Sequence, residues 1–154
     1  MHRTLVSIDD MITNGEFGPF SIGGSRESIG EQLGKPTDAA LLDRKGSKCI
    51  WRYGKIEFYF ENDILTMIHC DADELFDGGE TLRVTSNKFR SGMSLREAKA
   101  ILDGRGIRYT DNLVDASPEC AIQTPVGFRF GFVIDGDAGL GPTGLRSWSL
   151  QDGG

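Results

Sequence analysis

The chain has few residues suited to redox, metal or cross-linking chemistry: three cysteines and two histidines among 154 residues. Cys49, Cys70 and Cys120 are odd in number, far apart and without a Cys-x-x-Cys pair, which argues against both a disulfide framework and a zinc ribbon. Three reduced thiols in a cytoplasmic protein are the expectation. No apolar run approaches the ~20 residues needed to span a bilayer. The N-terminal residues turn acidic at Asp9 and Asp10 before a signal-peptide core could form. A basic cluster is also missing. With 17 Lys and Arg against 23 Asp and Glu, the net charge is -6, so phosphate backbones and anionic membrane surfaces would be repelled. Neither nucleic acid nor membrane is an expected partner. Five prolines and no Gly-X-Y period exclude collagen.

Glycine is plentiful instead: the 21 glycines are about twice the usual share and point to many tight turns. With 38% apolar and 26% charged residues, the chain can bury a core and stay in solution. Its length fits one domain, or two small ones sharing a core.

An internal repeat organises the chain. Gly23-Gly24-Ser25-Arg26-Glu27-Ser28-Ile29-Gly30-Glu31-Gln32-Leu33 aligns without gaps on Gly92-Met93-Ser94-Leu95-Arg96-Glu97-Ala98-Lys99-Ala100-Ile101-Leu102, 69 residues later. Ser25 and Ser94 are placed to cap helices, and Ser94-Leu95-Arg96-Glu97 adds a capping box. Ile29 with Leu33, and Leu95 with Ala98 and Leu102, form apolar stripes at helical spacing. Gly34 and Gly104 are expected to stop the two helices.

Each helix is followed by strand-like sequence. Lys48 to Tyr53 and a turn at Gly54 precede Ile56, Phe58 and Phe60, which alternate with Lys55, Glu57, Tyr59 and Glu61. That period of two predicts a strand with one buried face. A turn at Glu61-Asn62-Asp63 leads to a strand from Ile64 to Cys70. In the second copy Phe128, Phe130 and Phe132 take the same alternation, after a strand near Ala121 to Gln123 and before one from Leu145 to Leu150. The reading is α+β, two tandem modules, each a short helix packed on an antiparallel meander. The boundaries are residues 1–19 as an N-terminal segment, 20–70 and 89–150 as modules, 71–88 as an acidic linker and connecting strand, and 151–154 as a tail.

The Gly-x-Ser start, the Leu33-Gly34 stop, Trp51-Arg52-Tyr53-Gly54 and the alternating aromatic strand together resemble small outer-membrane assembly lipoproteins of the BamE/SmpA kind. The tandem arrangement is similar to β-lactamase inhibitor proteins, and the chain looks like small acidic bacterial immunity proteins. The resemblance implies an architecture that grips other proteins. The lipoprotein role and the inhibitors' disulfides are not expected, for want of a lipidation cysteine and of suitable cysteine pairs.

Motifs for chemistry are weak. From Asp71, the acidic run to Glu80 places Leu75 and Phe76 where an EF-hand needs an oxygen ligand and a glycine, so a solvated linker is expected. Asp135-Gly136-Asp137-Ala138-Gly139 reads as a turn, and Gly139 to Gly144 lacks the lysine and the helix of a phosphate loop. No metal and no cofactor are expected. His69 adjoins Cys70, but neighbours in a strand face opposite ways and form no dyad.

Binding residues stand out more. Glu57, Tyr59, Glu61 and Arg129 are expected on an outward sheet face, with Tyr59 the best candidate for exposure. Trp51 and Tyr53 share a face of their strand, and Arg146 and Trp148 a face of the last one. Either tryptophan could instead belong to the core. Tyr, Trp and Arg are the types that anchor interfaces. The expectation is a non-catalytic protein-binding inhibitor, most specifically a cytoplasmic immunity protein that blocks a cognate toxin through an acidic sheet face. A small enzyme with dispersed residues around His69, Cys70 and Glu57, or a ligand-binding scaffold, is the alternative. Oligomeric state is not readable, since an exposed sheet edge could pair with its own copy.

Overall fold

The structure, a computed structural model, describes residues 3–72, 74–113, 119–133 and 144–152. His2, the Asp135 loop and most of the Gly139–Gly144 segment lie outside the described residues. The chain begins with strand β1 (Thr4–Ser7), helix α1 (Ile8–Asn14) and helix α2 (Arg26–Leu33). A meander follows: β2 (Asp38–Leu41), β3 (Lys48–Tyr53), β4 (Ile56–Glu61) and β5 (Ile64–Cys70). Short β6 (Asp77–Gly78) and β7 (Leu82–Thr85) lead to helix α3 (Leu95–Gly104). A second meander closes the order: β8 (Thr110–Leu113), β9 (Glu119–Gln123), β10 (Phe128–Val133) and β11 (Gly144–Gln151). The protein is α+β, with a large antiparallel sheet.

That sheet has eight strands in the order β2-β3-β4-β5-β11-β10-β9-β8, so each meander runs from its own edge inward to the centre, the second in mirror order to the first. The two meet where β5 pairs antiparallel with β11, Cys70 opposite Trp148. A second, three-stranded sheet, β1-β7-β6, pairs β1 with β7 in parallel.

Local sequence accounts for the helix boundaries. Ser25 Oγ accepts the Ser28 amide at 3.1 Å and Ser94 Oγ accepts the Glu97 amide at 3.1 Å, as N-caps do. The Glu97 side chain meets the Ser94 hydroxyl and Arg90, so only the serine half of the expected capping box forms toward backbone. Gly34 ends α2 at φ +77. Helix α3 instead runs through Gly104, and the first left-handed glycine after it is Gly106. Replacing Ser94 with alanine should cost about 1 kcal/mol. On a thermal melt that is a drop of roughly 3 °C, and an unchanged midpoint would show that α3 is held by packing alone.

The N-terminal segment carries more structure than its charge suggests. Ser7 caps α1, whose Ile8, Met11 and Ile12 are buried. Residues 74–80 are likewise tied down, because Leu75 is buried and its carbonyl accepts the Trp148 indole N–H at 2.7 Å.

All three helices, β1 and β7 join one face of the large sheet in a single buried cluster. Phe58, Phe60, Phe128, Phe130 and Phe132 supply its sheet side, as the alternation predicts. Phe17 completes the centre, edge-on to Phe58 and stacked on Trp148. No helix among the described residues is long and apolar enough to cross a membrane.

Candidate functional site

The opposite face of the sheet carries one polar row across all eight strands. Its register runs Asp38, Arg52, Glu57, His69, Ser149, Arg129, Gln123 and Thr110, each opposite the next. No apolar side chain interrupts it. Such a row cannot be the buried face of a sheet, because its charges would lose hydration without compensation.

Two bulges shape this face. Tyr59 pairs with Met67 but Phe60 with Leu65, leaving Thr66 as the extra residue. Gly131 pairs with Ser147 but Phe132 with Leu145, leaving Arg146 as the extra residue. A bulge puts two residues opposite one and turns the strand. Arg146 and Ser147 therefore both sit on the polar side, while Leu145 and Trp148 are buried. A Cβ at Gly131 would collide with Ser147 Oγ, so glycine leaves the hydroxyl its place.

Between the bulges lies a concavity of about 360 Å³. Tyr59, Met67 and His69 line one side, and Glu119, Arg129, Arg146, Ser147 and Ser149 the other. Neither arginine has an ion-pair partner among the described residues. The other side is acidic. Tyr59 donates its hydroxyl proton to Glu57 Oε1 at 3.4 Å and meets the His69 ring edge-on. His69 Nε2 lies 3.6 Å from Asp71 Oδ2. Burial pushes the Tyr59 phenol above its ordinary range, and the charges of Glu57 and Asp71 add to the effect. The expected acidic face is thus of both signs, because the second meander places Arg129 and Arg146 where the first has acids.

Five of the sequence-derived binding residues face this side: Glu57, Tyr59 and the rim residue Glu61 on β4, with Arg129 and Arg146 on the second meander. Three do not. Trp148 is fully buried. Tyr53 is buried too; its hydroxyl donates to the Gly34 carbonyl at 2.8 Å, and burial pushes it up to about 12. Trp51 is partly covered on the helix side, against Phe60, with Arg26 over its ring. The reason is register. Tyr53 stands opposite Ile56 and Trp51 opposite Phe58, so both share the core face that Ile56 and Phe58 define. Arg146 and Trp148 part company at the bulge.

The thiols lie elsewhere. Cys70 is fully buried, its Sγ donating to the Lys55 carbonyl at 3.2 Å, and burial pushes it up to about 11. His69 sits on the opposite face, as strand alternation predicts. Sequence reasoning missed Asp71, Ser147 and Ser149. Asp71 carried a usable signal, since it follows His69 by two residues and so shares its side.

No protein-family model matches the chain, and no curated protein matches it. A solved structure of an extracellular protein containing an SCP domain from Bacillus anthracis is similar over 85% of this chain, at 10% identity and a TM-score of 0.45. The likeness spans 44% of that protein's chain.

Proposed function

We propose that this chain is a protein-binding module that docks a partner on the uncovered face of its eight-stranded sheet, and that it acts there as an inhibitor of the immunity-protein kind. The observation that carries the reading is the concavity with two arginines on one wall, neither ion-paired among the described residues, and Tyr59 beside His69 on the other. An open face that presents Tyr59 together with Arg129 and Arg146 carries residue types of interface hot spots. The complementary partner presents acidic groups toward Arg129 and Arg146 and basic groups toward Glu57 and Asp71. The net charge of -6 would speed its encounter with a basic toxin.

The finer architecture belongs to the same reading. We take the two meanders with their helices as tandem modules, supported by the mirrored strand order and by a bulge between the last two strands of each. That arrangement agrees with the likeness to tandem helix-plus-sheet inhibitors. A cytoplasmic location agrees with Cys49, Cys70 and Cys120 being free thiols.

The test is reconstitution with proteins encoded beside this chain. One of them should bind stoichiometrically and lose its own activity on mixing. Arg129→Glu and Tyr59→Ala should each weaken that complex about tenfold or more, while the melting midpoint moves by only about 2 °C. Full affinity in both variants would remove the face assignment. A large stability loss in Tyr59→Ala would place that ring in the core.

A further inference from the structure

We propose that Glu57, His69 and Asp71 bind one divalent transition-metal ion of the zinc class on the uncovered sheet face, leaving a coordination position open to solvent. One ligand atom from each residue lies within 4.8 Å of the other two. His69 Nε2 and Asp71 Oδ2 are 3.6 Å apart. Two ligands on a tetrahedral ion with bonds near 2.1 Å stand about 3.4 Å from each other, so this pair is already at ligand spacing.

Glu57 completes the set from the neighbouring strand, directly opposite His69 in register. A long hydrogen bond from Tyr59, at 3.4 Å, holds its carboxylate. Because Glu57 and His69 rise from paired strands and Asp71 directly follows β5, their backbones are held relative to one another.

Charge supports the assignment. The cationic neighbour of Glu57 in register is Arg52, whose guanidinium is turned instead to Asp38 at 2.7 Å. Two carboxylates therefore lie within 4.8 Å of each other and of the imidazole, an arrangement that a dication relieves. One imidazole with two carboxylates suits zinc, manganese or iron(II) better than a thiolate-seeking ion. Three protein ligands with a fourth place open form an accessible site rather than a closed structural one. His69 also lines the concavity, so the open position looks toward whatever occupies it.

The inference is tested without a partner, so its failure is distinct from a failure of the docking reading. Metal-free full-length protein is titrated with Co2+, followed by its visible absorption, and with Zn2+ by calorimetry. One saturable equivalent is expected, lacking the near-ultraviolet band of a cobalt–thiolate bond because the three cysteines are buried. His69→Ala, Glu57→Gln and Asp71→Asn should each weaken binding at least tenfold. Asp71 is well exposed, so Asp71→Asn retains the fold and keeps the test decisive even if another variant does not. No saturable binding, a cobalt–thiolate band, or wild-type affinity in Asp71→Asn would overturn the site.

Discussion

Trp148→Ala is expected to be the most damaging single substitution in the protein, costing about 4 kcal/mol. For a chain of this size that lowers the melting midpoint by roughly 10 °C. The indole is 0% exposed. It stacks on Phe17 with ring centroids 5.8 Å apart and on Phe128 at 6.3 Å. Truncation opens a cavity beneath both rings that neighbouring side chains fill only in part. It also removes the hydrogen bond to the Leu75 carbonyl, leaving a buried acceptor without its donor at a cost of about 1–3 kcal/mol. Trp148→Phe separates the two effects, since it keeps most of the volume and loses the bond. Urea titration of both variants should give a smaller loss for phenylalanine. A loss under about 1 kcal/mol for alanine would mean that the ring is not enclosed.

The second large effect is expected at Gly54, in the turn between β3 and β4. Its φ of +61 lies in the left-handed region, where a side chain costs about 1–2 kcal/mol. Space is the greater obstacle. A Cβ there would collide with the Gly79 backbone nitrogen and approach the Asp77 carbonyl oxygen at 2.7 Å. Those are backbone atoms and cannot swing aside as a flexible side chain would. Relief requires β6 to move, breaking the bond from the Lys55 amide to the Asp77 carbonyl. Gly54→Ala should therefore cost about 3 kcal/mol or more. Gly106→Ala is the control: φ is +69 and nothing lies within 4 Å of its Cβ, so it carries the conformational term alone. Equal losses in the two variants would deny that β6 presses on the turn.

Both residues show what local sequence can and cannot convey. The central strands and α2 were legible because alternation and caps are written within a few adjacent residues. Strand β2 was not, since every residue of Asp38–Leu41 is exposed and an edge strand with no buried face leaves no alternation to read. Helix α1 does leave a signal, in the Ser7 cap and in Ile8, Met11 and Ile12, but at seven residues it offers too short an apolar stripe to mark a helix by periodicity alone.

The site divides in the same way. Glu57 and Tyr59 were placed by the phase of one strand. Trp51 and Tyr53 required the phase to be carried across the Gly54 turn: a two-residue loop sets Tyr53 opposite Ile56 and hence on the core face. Arg146 was separated from Trp148 by a bulge, which has no signature in the alternation of a single strand. The meeting of Asp71 with Glu57 depends on strand register, and a spacing rule applied along the acidic run from Asp71 to Glu80 tests only ligands adjacent in the chain.

The pairing of β5 with β11 also governs the order in which the protein can be completed during synthesis. On the ribosome, β2 to β5 emerge well before their central neighbour exists. Until β11 emerges, the inner side of β5 is an open row of peptide groups, able to pair with any extended segment nearby. Trp148 arrives with that same strand, so closure of the sheet and sealing of the aromatic centre are one late event. The emerging chain is therefore most vulnerable to self-association just before its final described strand is made, and a chaperone acting on that interval would protect the β5 edge.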